Sequence, residues 1–207
     1  MTLLTDFRDE ARRRGALAPD EAVTLASAFR VVRDLPYERA SDRAPETVLR
    51  EWRGTCSGKH YLLAAILEAL GTETAVILAT HHFTVENSPW LPPALLDEVR
   101  AAEVPDVHTF LRVRHDPVAD DWMTVDATWP LAAQALGLPV NTSFRPGSDM
   151  RVAADIEEII HVPEDEDPQD VKEIVLANHV GDELPRRDRF IEALAAWLRE
   201  AAEKDVR

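Results

Sequence analysis

One stretch of the sequence, residues 59–71 (KHYLLAAILEALG), is apolar on nearly every side when it is drawn as a helix. A surface helix carries its apolar residues on one face, whereas a helix that is apolar all round has to be covered on all sides. Gly71 suits the position after the last turn, because glycine readily adopts the left-handed conformation found there. Thr55 is a residue type that favours the N-cap. The sequence therefore predicts a helix buried at the centre of the fold.

A buried strand and a hairpin follow this helix. Residues 74–79 form a compact apolar run that is typical of a buried strand. Val107 to Arg114 alternates between apolar and polar side chains, and Trp122 to Ala127 alternates again. This pattern predicts two antiparallel strands that are joined by a polar loop around Pro117.

Helical patterns surround these strands, and no internal repeat or linker divides the chain. The 207 residues fit a single domain, 1–207, with its core over about 45–130 and strands and a helix at its C-terminal end. Helices are predicted over 3–14, 19–34, 45–52, 94–102, 131–137, 170–178 and 185–204, and one or two strands within 152–162.

The chain is strongly acidic, with a formal net charge of −15. Nucleic acid backbones and anionic lipid surfaces would repel such a protein, so we expect neither as a partner. No run approaches the roughly 18 apolar residues that a membrane span needs, and the first residues lack the apolar stretch of a signal peptide. The oligomeric state leaves no signal in the sequence.

Cys56 is the only cysteine, which excludes an internal disulfide and a multi-cysteine metal site and suits a reducing, cytoplasmic location. With Thr55 as N-cap, Cys56 lies in the first turn of the central helix, where unpaired amides and the helix dipole stabilise a thiolate. Gly54 and Gly58 allow a substrate backbone to come close. A lone cysteine is also commonly a small buried apolar residue, so Cys56 alone does not establish a nucleophile.

A histidine and a carboxylate are suitably placed on the predicted hairpin. A cysteine nucleophile works best beside a histidine whose ring is held by a third group. Setting His108 opposite Asp126 pairs Phe110 with Thr124 and centres the loop on Pro117. The two side chains then share a face, with Cβ atoms roughly 4.5–5.5 Å apart. A slip by one residue would separate them, and a structural role for either residue alone stays open.

Three segments together resemble the transglutaminase-like cysteine superfamily, whose Cys-His-Asp fold is papain-like, and they suggest a small single-domain member. They are Gly54–Cys56 at the start of a buried helix, Val107–Phe110 on a strand, and Thr124–Trp129 on the next strand. The segments match the superfamily in order, element type and approximate spacing. The resemblance covers about residues 45–130.

The resemblance implies an α+β, cysteine-proteinase-like fold in which the helix of Cys56 packs on an antiparallel sheet that carries His108 and Asp126. It implies that Cys56 is the nucleophile, His108 the general base and acid, and Asp126 the residue that orients the imidazole. The expected reaction is acyl transfer from a peptide or amide substrate through a thioester on Cys56, with no cofactor and no metal. Small members of the superfamily favour hydrolysis of the thioester, but its transfer to an amine stays open. We expect Trp52 and Trp129 to line the substrate cleft.

The chain departs from the superfamily in two places. Many members have tryptophan two residues after the catalytic histidine, where this chain has Phe110. An upstream glutamine often helps to form the oxyanion hole, but Gln134 and Gln169 both lie downstream of the cysteine. The indole N–H of Trp52 or the backbone amide of Cys56 would have to substitute. One missing donor can lower the rate on the order of 10²-fold.

Three alternatives stay open from the sequence. Arylamine N-acetyltransferases use a related fold and triad, and residues 53–56 superficially resemble them, although no coenzyme A signal is present. A catalytically inactive domain would instead bind a protein partner, for which the proline-rich segment 88–93 is suited. A zinc site from His81, His82 and His108 is disfavoured, because adjacent residues on a strand point to opposite faces.

Overall fold

The computed structural model describes residues 2–116, 118, 120–163 and 165–205. None of the helices in these ranges is long and apolar enough to cross a membrane. The helices are α1 (Leu3–Arg13), α2 (Leu25–Arg33), α3 (Pro45–Glu51), α4 (Cys56–Ala69), α5 (Pro93–Ala101), α6 (Pro168–His179) and α7 (Leu184–Asp205), and the strands are β1 (Thr74–Phe83), β2 (Val104–Asp116), β3 (Asp121–Val125) and β4 (Glu158–His161). Short 3-10 helices lie at Leu131–Leu136 and Gly181–Glu183.

The four strands form one antiparallel sheet in the order β3-β2-β1-β4. Strand β2 lies inside it, paired with β1 on one side and with β3 on the other. The neighbour of β1 on its other side is β4, which comes much later in the chain. Because the sheet is antiparallel and most helices precede or follow it in the sequence, the fold class is α+β, as predicted.

Helix α4 lies between the first three helices and the sheet. Thr55 is its N-cap, and Gly71, just beyond its end, has a φ of +86°. The side chains that are fully buried in this layer include Leu62, Leu63, Ile66 and Leu67. The buried central helix that the sequence predicts is therefore confirmed, together with both of its ends.

Helix α3 packs very closely on the start of α4. A Cβ atom at Gly58 would lie 2.9 Å from Val48 Cγ2, and one at Gly54 would lie 3.1 Å from the backbone nitrogen of Lys59. Extra methyl groups in such tight packing force shifts of the surrounding atoms. The two glycines therefore allow α3 to sit against the turn that carries Cys56.

The second helix begins later than predicted. A start near Pro19 was expected because the negative charges of Asp20 and Glu21 would interact favourably with the positive end of the helix dipole, but α2 begins at Leu25. Thr24 is its N-cap: Ser27 N donates to Thr24 Oγ1 at 3.2 Å, and Thr24 N donates to Ser27 Oγ at 2.8 Å. This capping box fixes the start of the helix more strongly than a charge near the dipole does.

The β2–β3 hairpin has a register two residues away from the predicted one. Thr124 pairs with Arg112 and not with Phe110, so the predicted pairing is wrong. Asp126 consequently lies just beyond the last residue of β3, and it is not directly opposite His108. A displacement by two residues keeps every side chain on its face of the sheet, so both still point to the same side.

The turn between these strands explains the displaced register. Asp120 has a φ of +53°, a conformation that aspartate tolerates better than most residues, and it moves the turn towards β3. An irregularity between Arg114 and Asp116 shifts the ladder further. Pro117, the predicted centre of the loop, lies outside the described residues.

The C-terminal helices pack on the sheet, and α7 belongs to a second apolar cluster. Helix α7 buries Phe190, Leu194 and Leu198 as predicted, and Trp197 is partly buried there. Within residues 152–162 only β4 is a strand. Helix α6 packs on β2 and β1, which brings its inner face close to the start of α4.

Candidate active site

Cys56 is the first residue of α4 and is only 4% exposed. It lines a pocket of about 360 Å³ whose other walls come from residues 37–43, α6 and α7. The side chain of Thr55 makes no capping hydrogen bond. The first-turn backbone amides of α4 are therefore not satisfied by this cap, and their N–H groups and the helix dipole favour an anion at Cys56.

His108 and Asp126 are hydrogen-bonded, with 2.8 Å between His108 Nε2 and Asp126 Oδ2. Both side chains are buried. The backbone N–H groups of Thr128 and Ala153 also donate to the carboxylate, each at 2.9 Å. Burial opposes ionisation of this carboxyl group, but the His108 imidazolium outweighs it and holds the pKa of Asp126 well below its usual range. Asp126 is thus an ionised acceptor that fixes the imidazole.

The same geometry makes Cys56 a thiolate. Burial raises the pKa of its thiol, but the ammonium group of Lys172 and the neighbouring His108 outweigh it and lower the pKa to about 5. Burial likewise lowers the pKa of His108, but Asp126 and Cys56 raise it to about 10. Because His108 Nε2 is bound to Asp126, Nδ1 is the ring nitrogen left for the sulfur. At neutral pH the thiol is therefore ionised and His108 is protonated.

Lys172 on α6 is the fourth residue at this site, and the sequence analysis did not predict it. Its side chain is 1% exposed, and Nζ lies 3.7 Å from Cys56 Sγ. The ammonium group donates to Ser57 Oγ and to the carbonyl oxygen of Val107, both at 2.6 Å, and to Thr109 Oγ1 at 3.0 Å. Burial lowers the pKa of Lys172, which Cys56 opposes.

The arginines in the pocket wall are paired with carboxylates, whereas Lys172 is not paired with any described carboxylate. Arg39 pairs with Asp188 at 2.6 Å, and Arg187 Nε lies 2.7 Å from Asp106 Oδ1. Lys172 forms no salt bridge with a carboxylate in the part of the chain that the structure describes. The Cys56 sulfur is therefore the anion that its ammonium group contacts directly.

Two side chains fasten the start of α4 to the segment after β3. His60 Nδ1 donates to the carbonyl oxygen of Cys56 at 2.7 Å, and the N–H of Ala127 donates to His60 Nε2 at 2.8 Å. Burial lowers the pKa of His60 to about 4, so the ring is neutral. Lys59 Nζ donates to the carbonyl oxygen of Thr128 at 2.9 Å. These bonds hold the cysteine and the segment of Asp126 at a fixed separation.

The two tryptophans expected in the cleft lie outside the pocket wall. Trp52 follows α3 with a φ of 55°, and the guanidinium carbon of Arg14 lies 5.2 Å from its ring centroid. Trp129 is 4% exposed and packs on Tyr37 with 4.7 Å between ring centroids. Of these residues only Tyr37 lines the pocket at Cys56. The structure therefore brings together Cys56, the histidine and the aspartate, but not the tryptophans.

Gln169 also lines the pocket, on the same helix as Lys172. The sequence has no glutamine upstream of Cys56, and Gln169 lies far downstream. The fold nevertheless brings its helix to the cysteine. This proximity results from the packing of α6 on the sheet, so the spacing of residues in the sequence does not predict it.

Of the three histidines that the sequence suggested for a metal, His81 and His108 are neighbours, with 6.2 Å between ring centroids, but His82 points to the other face of the sheet. His81 is 4% exposed and faces Asp106, whereas the neighbouring His82 is 31% exposed and faces Glu157. The opposite orientation predicted for adjacent strand residues is confirmed. His82 and Glu157 instead approach His179, at a distance from the cysteine pocket along β1.

No protein-family model matches the chain, and no curated protein matches it at a significant level. The function therefore has to be argued from the chemistry of Cys56 and of the side chains around it.

Proposed function

We propose that the protein is a transglutaminase-like cysteine hydrolase that cleaves an amide or peptide bond through an acyl–Cys56 intermediate. One observation carries this proposal: a thiol with its pKa lowered to about 5 stands beside His108, whose other ring nitrogen is 2.8 Å from the buried Asp126 carboxylate. A structural cysteine in apolar surroundings has a raised pKa and lacks such partners. Nucleophile, base and orienting carboxylate are the groups that acyl transfer by a thiol requires.

The arrangement of secondary structure supports the same superfamily. The cysteine begins a buried helix, the histidine is on a strand of an antiparallel sheet, and the aspartate follows the next strand. Since one fold hosts many reactions, the fold class alone assigns no activity. The proposal depends on the side chains that these elements bring into contact.

In the proposed mechanism, the Cys56 thiolate attacks the carbonyl carbon of the bound amide and forms a tetrahedral oxyanion. The protonated His108 then gives its proton to the amine nitrogen as the carbon–nitrogen bond breaks, which leaves a thioester on Cys56. His108, now neutral, takes a proton from water, and the hydroxide formed attacks the thioester. Collapse of this second intermediate releases the carboxylic acid and restores the thiolate–imidazolium pair. Asp126 keeps the imidazole oriented throughout.

The oxyanion needs a hydrogen-bond donor, and the backbone amide of Cys56, which begins the uncapped first turn of α4, can supply one. The N–H groups of the Lys172 ammonium already donate to Ser57, Val107 and Thr109, so this group contributes its positive charge, 3.7 Å from the attacking sulfur, and no free donor. Preorganised electrostatic stabilisation of this kind is commonly the largest contribution to catalysis. In this proposal the charge of Lys172 takes the part that an upstream glutamine has in many members of the superfamily.

The proposal is tested by trapping the intermediate. The folded protein is incubated with a mixture of peptides, and intact mass spectrometry identifies acyl adducts on Cys56 after an acid quench. Cys56→Ala is the matched control for adducts elsewhere, and His108→Gln should reduce adduct formation strongly. A thiol that titrates near its ordinary pKa of about 8.5 in the folded protein would contradict the proposal.

The same experiment separates the rival activities. A fluorescent primary amine added with the peptides distinguishes hydrolysis from transfer, because transfer attaches the amine to the acyl group that Cys56 carried. Incubation with acetyl-coenzyme A tests the N-acetyltransferase alternative, for which Cys56 would gain an acetyl group. A Cys56→Ala variant that keeps full biological function would favour a protein-binding domain.

A further inference from the structure

A second group of side chains has the composition of a transition-metal site. His82 near the end of β1, Glu157 just before β4 and His179 at the end of α6 each offer one ligand atom, and these atoms lie within 4.8 Å of one another. We propose that the three residues bind a divalent transition metal ion, with zinc as the best match. Two imidazoles and a carboxylate are a ligand set that zinc uses, with water in the fourth position.

Two contacts with backbone carbonyls of β1 hold these residues together. The N–H of Glu157 donates to the carbonyl oxygen of Thr80 at 3.0 Å, which places the main chain of Glu157 beside β1. His179 Nε2 lies 3.3 Å from the carbonyl oxygen of His81, and this contact orients its ring. Backbone carbonyls commonly orient the rings of metal-bound histidines in this way. The site therefore needs little rearrangement of the main chain.

The distances between the side chains are compatible with a bound ion. His82 Nδ1 lies 2.7 Å from Glu157 Oε1, and the centroids of the His82 and His179 rings are 5.1 Å apart. Zinc binds nitrogen and oxygen at about 2.0–2.2 Å, so tetrahedral ligand atoms are separated by roughly 3.3–3.5 Å. The Glu157 side chain is 47% exposed and can move by the fraction of an ångström required.

A hydrogen bond between His82 and Glu157 alone would not account for His179. The third residue comes from the end of a helix that no local spacing connects to either of the others, and it still brings a ring nitrogen into the same small volume. The His82 side chain is 31% exposed, so an ion can reach the group from solvent. A bound ion would tie the end of α6 to the sheet and stabilise the folded state by mass action.

The test measures zinc binding by equilibrium dialysis and by calorimetry in a Cys56→Ser background, which removes the thiol as a competing ligand. We expect one ion per chain and a higher midpoint of thermal unfolding with zinc. His82→Ala and His179→Ala should each weaken binding by more than about 100-fold. His161→Ala is the matched control, because His161 is an exposed histidine on β4, and it should bind as the parent does.

A second pair of variants covers the case in which a histidine variant folds poorly. Glu157→Gln should weaken zinc binding, whereas Glu158→Gln, at the neighbouring exposed position, should not. Circular dichroism checks that both variants are folded. Equal zinc affinity in the parent, His82→Ala and Glu157→Gln would overturn the proposal. The absence of any binding to the Cys56→Ser parent up to near-millimolar zinc would overturn it as well.

Discussion

The ammonium nitrogen of Lys172 lies 3.7 Å from the sulfur of Cys56, although 116 residues separate them in the chain. The lysine belongs to α6 and the cysteine to α4, and Ser57 and Thr109 also accept hydrogen bonds from the ammonium group. A buried ammonium group is costly unless an anion and hydrogen-bond acceptors surround it. The thiolate and the lysine therefore stabilise each other's charged forms.

Replacing this lysine by methionine should raise the pKa of Cys56. Lys172→Met removes the largest interaction that lowers the pKa of the thiol, while burial continues to raise it. We expect the inflection in the rate of iodoacetamide alkylation against pH to move up by about one pH unit or more. The rate at pH 6 should fall about twofold or more, because a thiol with a pKa of about 6 is half protonated there.

A lysine in another part of the fold provides the control for this variant. Lys204→Met changes an exposed lysine on α7 and should leave the alkylation profile unchanged. Thermal unfolding of both variants shows whether they remain folded. An unchanged inflection in folded Lys172→Met would mean that the lysine has only a structural role.

The wild-type protein should show a flat alkylation profile over the neutral range. With the pKa of Cys56 lowered to about 5, the thiolate is fully formed above about pH 6. The rate should fall only as the pH drops through about 5, where the thiolate takes up a proton. An ordinary thiol would instead lose rate about tenfold for each pH unit below about 8.5. Stopped-flow alkylation from acid to mildly basic pH distinguishes the two profiles.

Removing the charge of Asp126 should lower the pKa of His108. In Asp126→Asn the amide still accepts from Thr128 N, but the anion that raises the pKa of His108 to about 10 is gone. We expect this pKa to fall towards about 6.5, measured by NMR titration of the imidazole. Turnover of a cleaved peptide should fall on the order of 10³–10⁴-fold, as when a triad aspartate is neutralised.

A surface aspartate near the same segment tests whether this effect is specific. Asp155 is an exposed residue close in sequence to Ala153, whose N–H donates to Asp126, and Asp155→Asn removes its charge. It should leave both the His108 titration and the turnover unchanged. If Asp126→Asn behaves like Asp155→Asn, the carboxylate does not orient the histidine.

A methyl group at Gly58 should destabilise the fold. Its carbon would lie 2.9 Å from Val48 Cγ2, where α3 packs on the start of α4. We expect Gly58→Ala to lower the free energy of unfolding by about 1–3 kcal/mol, as overpacking does, measured by urea denaturation. In the double variant with Val48→Ala the clash is relieved, so the loss should be smaller than the sum of the two single losses. Additive losses would show that the contact is not the cause.

The sequence predicted the elements whose signals are local. The buried helix of Cys56 follows from a run of apolar side chains, and the strands of His108 and Asp126 follow from their alternation. The hairpin register was wrong by two residues, because several polar residues offered a turn and only the conformation of Asp120 selects one. Since the error was an even number of residues, the shared face of the histidine and the aspartate survived it.

The part of the site that the sequence missed depends on tertiary packing. On α6 the lysine at 172 is buried and Ile174 is 59% exposed, the reverse of what hydrophobicity predicts. An inward lysine is stabilised by acceptors from α4 and β2, which are distant in sequence. Trp52 and Trp129, which were expected at the cleft, lie outside the wall of the Cys56 pocket and pack against Arg14 and Tyr37.

The separation of Lys172 from the three residues at 56–126 has a consequence for how the protein can be studied. The thiol, the histidine and the aspartate belong to one half of the fold, while the lysine is added by the docking of α6 on the sheet. The acidity of Cys56 therefore reports on the attachment of that helix. If α6 detaches from the sheet, the pKa of Cys56 rises and the thiol reacts more slowly below neutral pH. The alkylation rate therefore measures local unfolding of α6 without any added label.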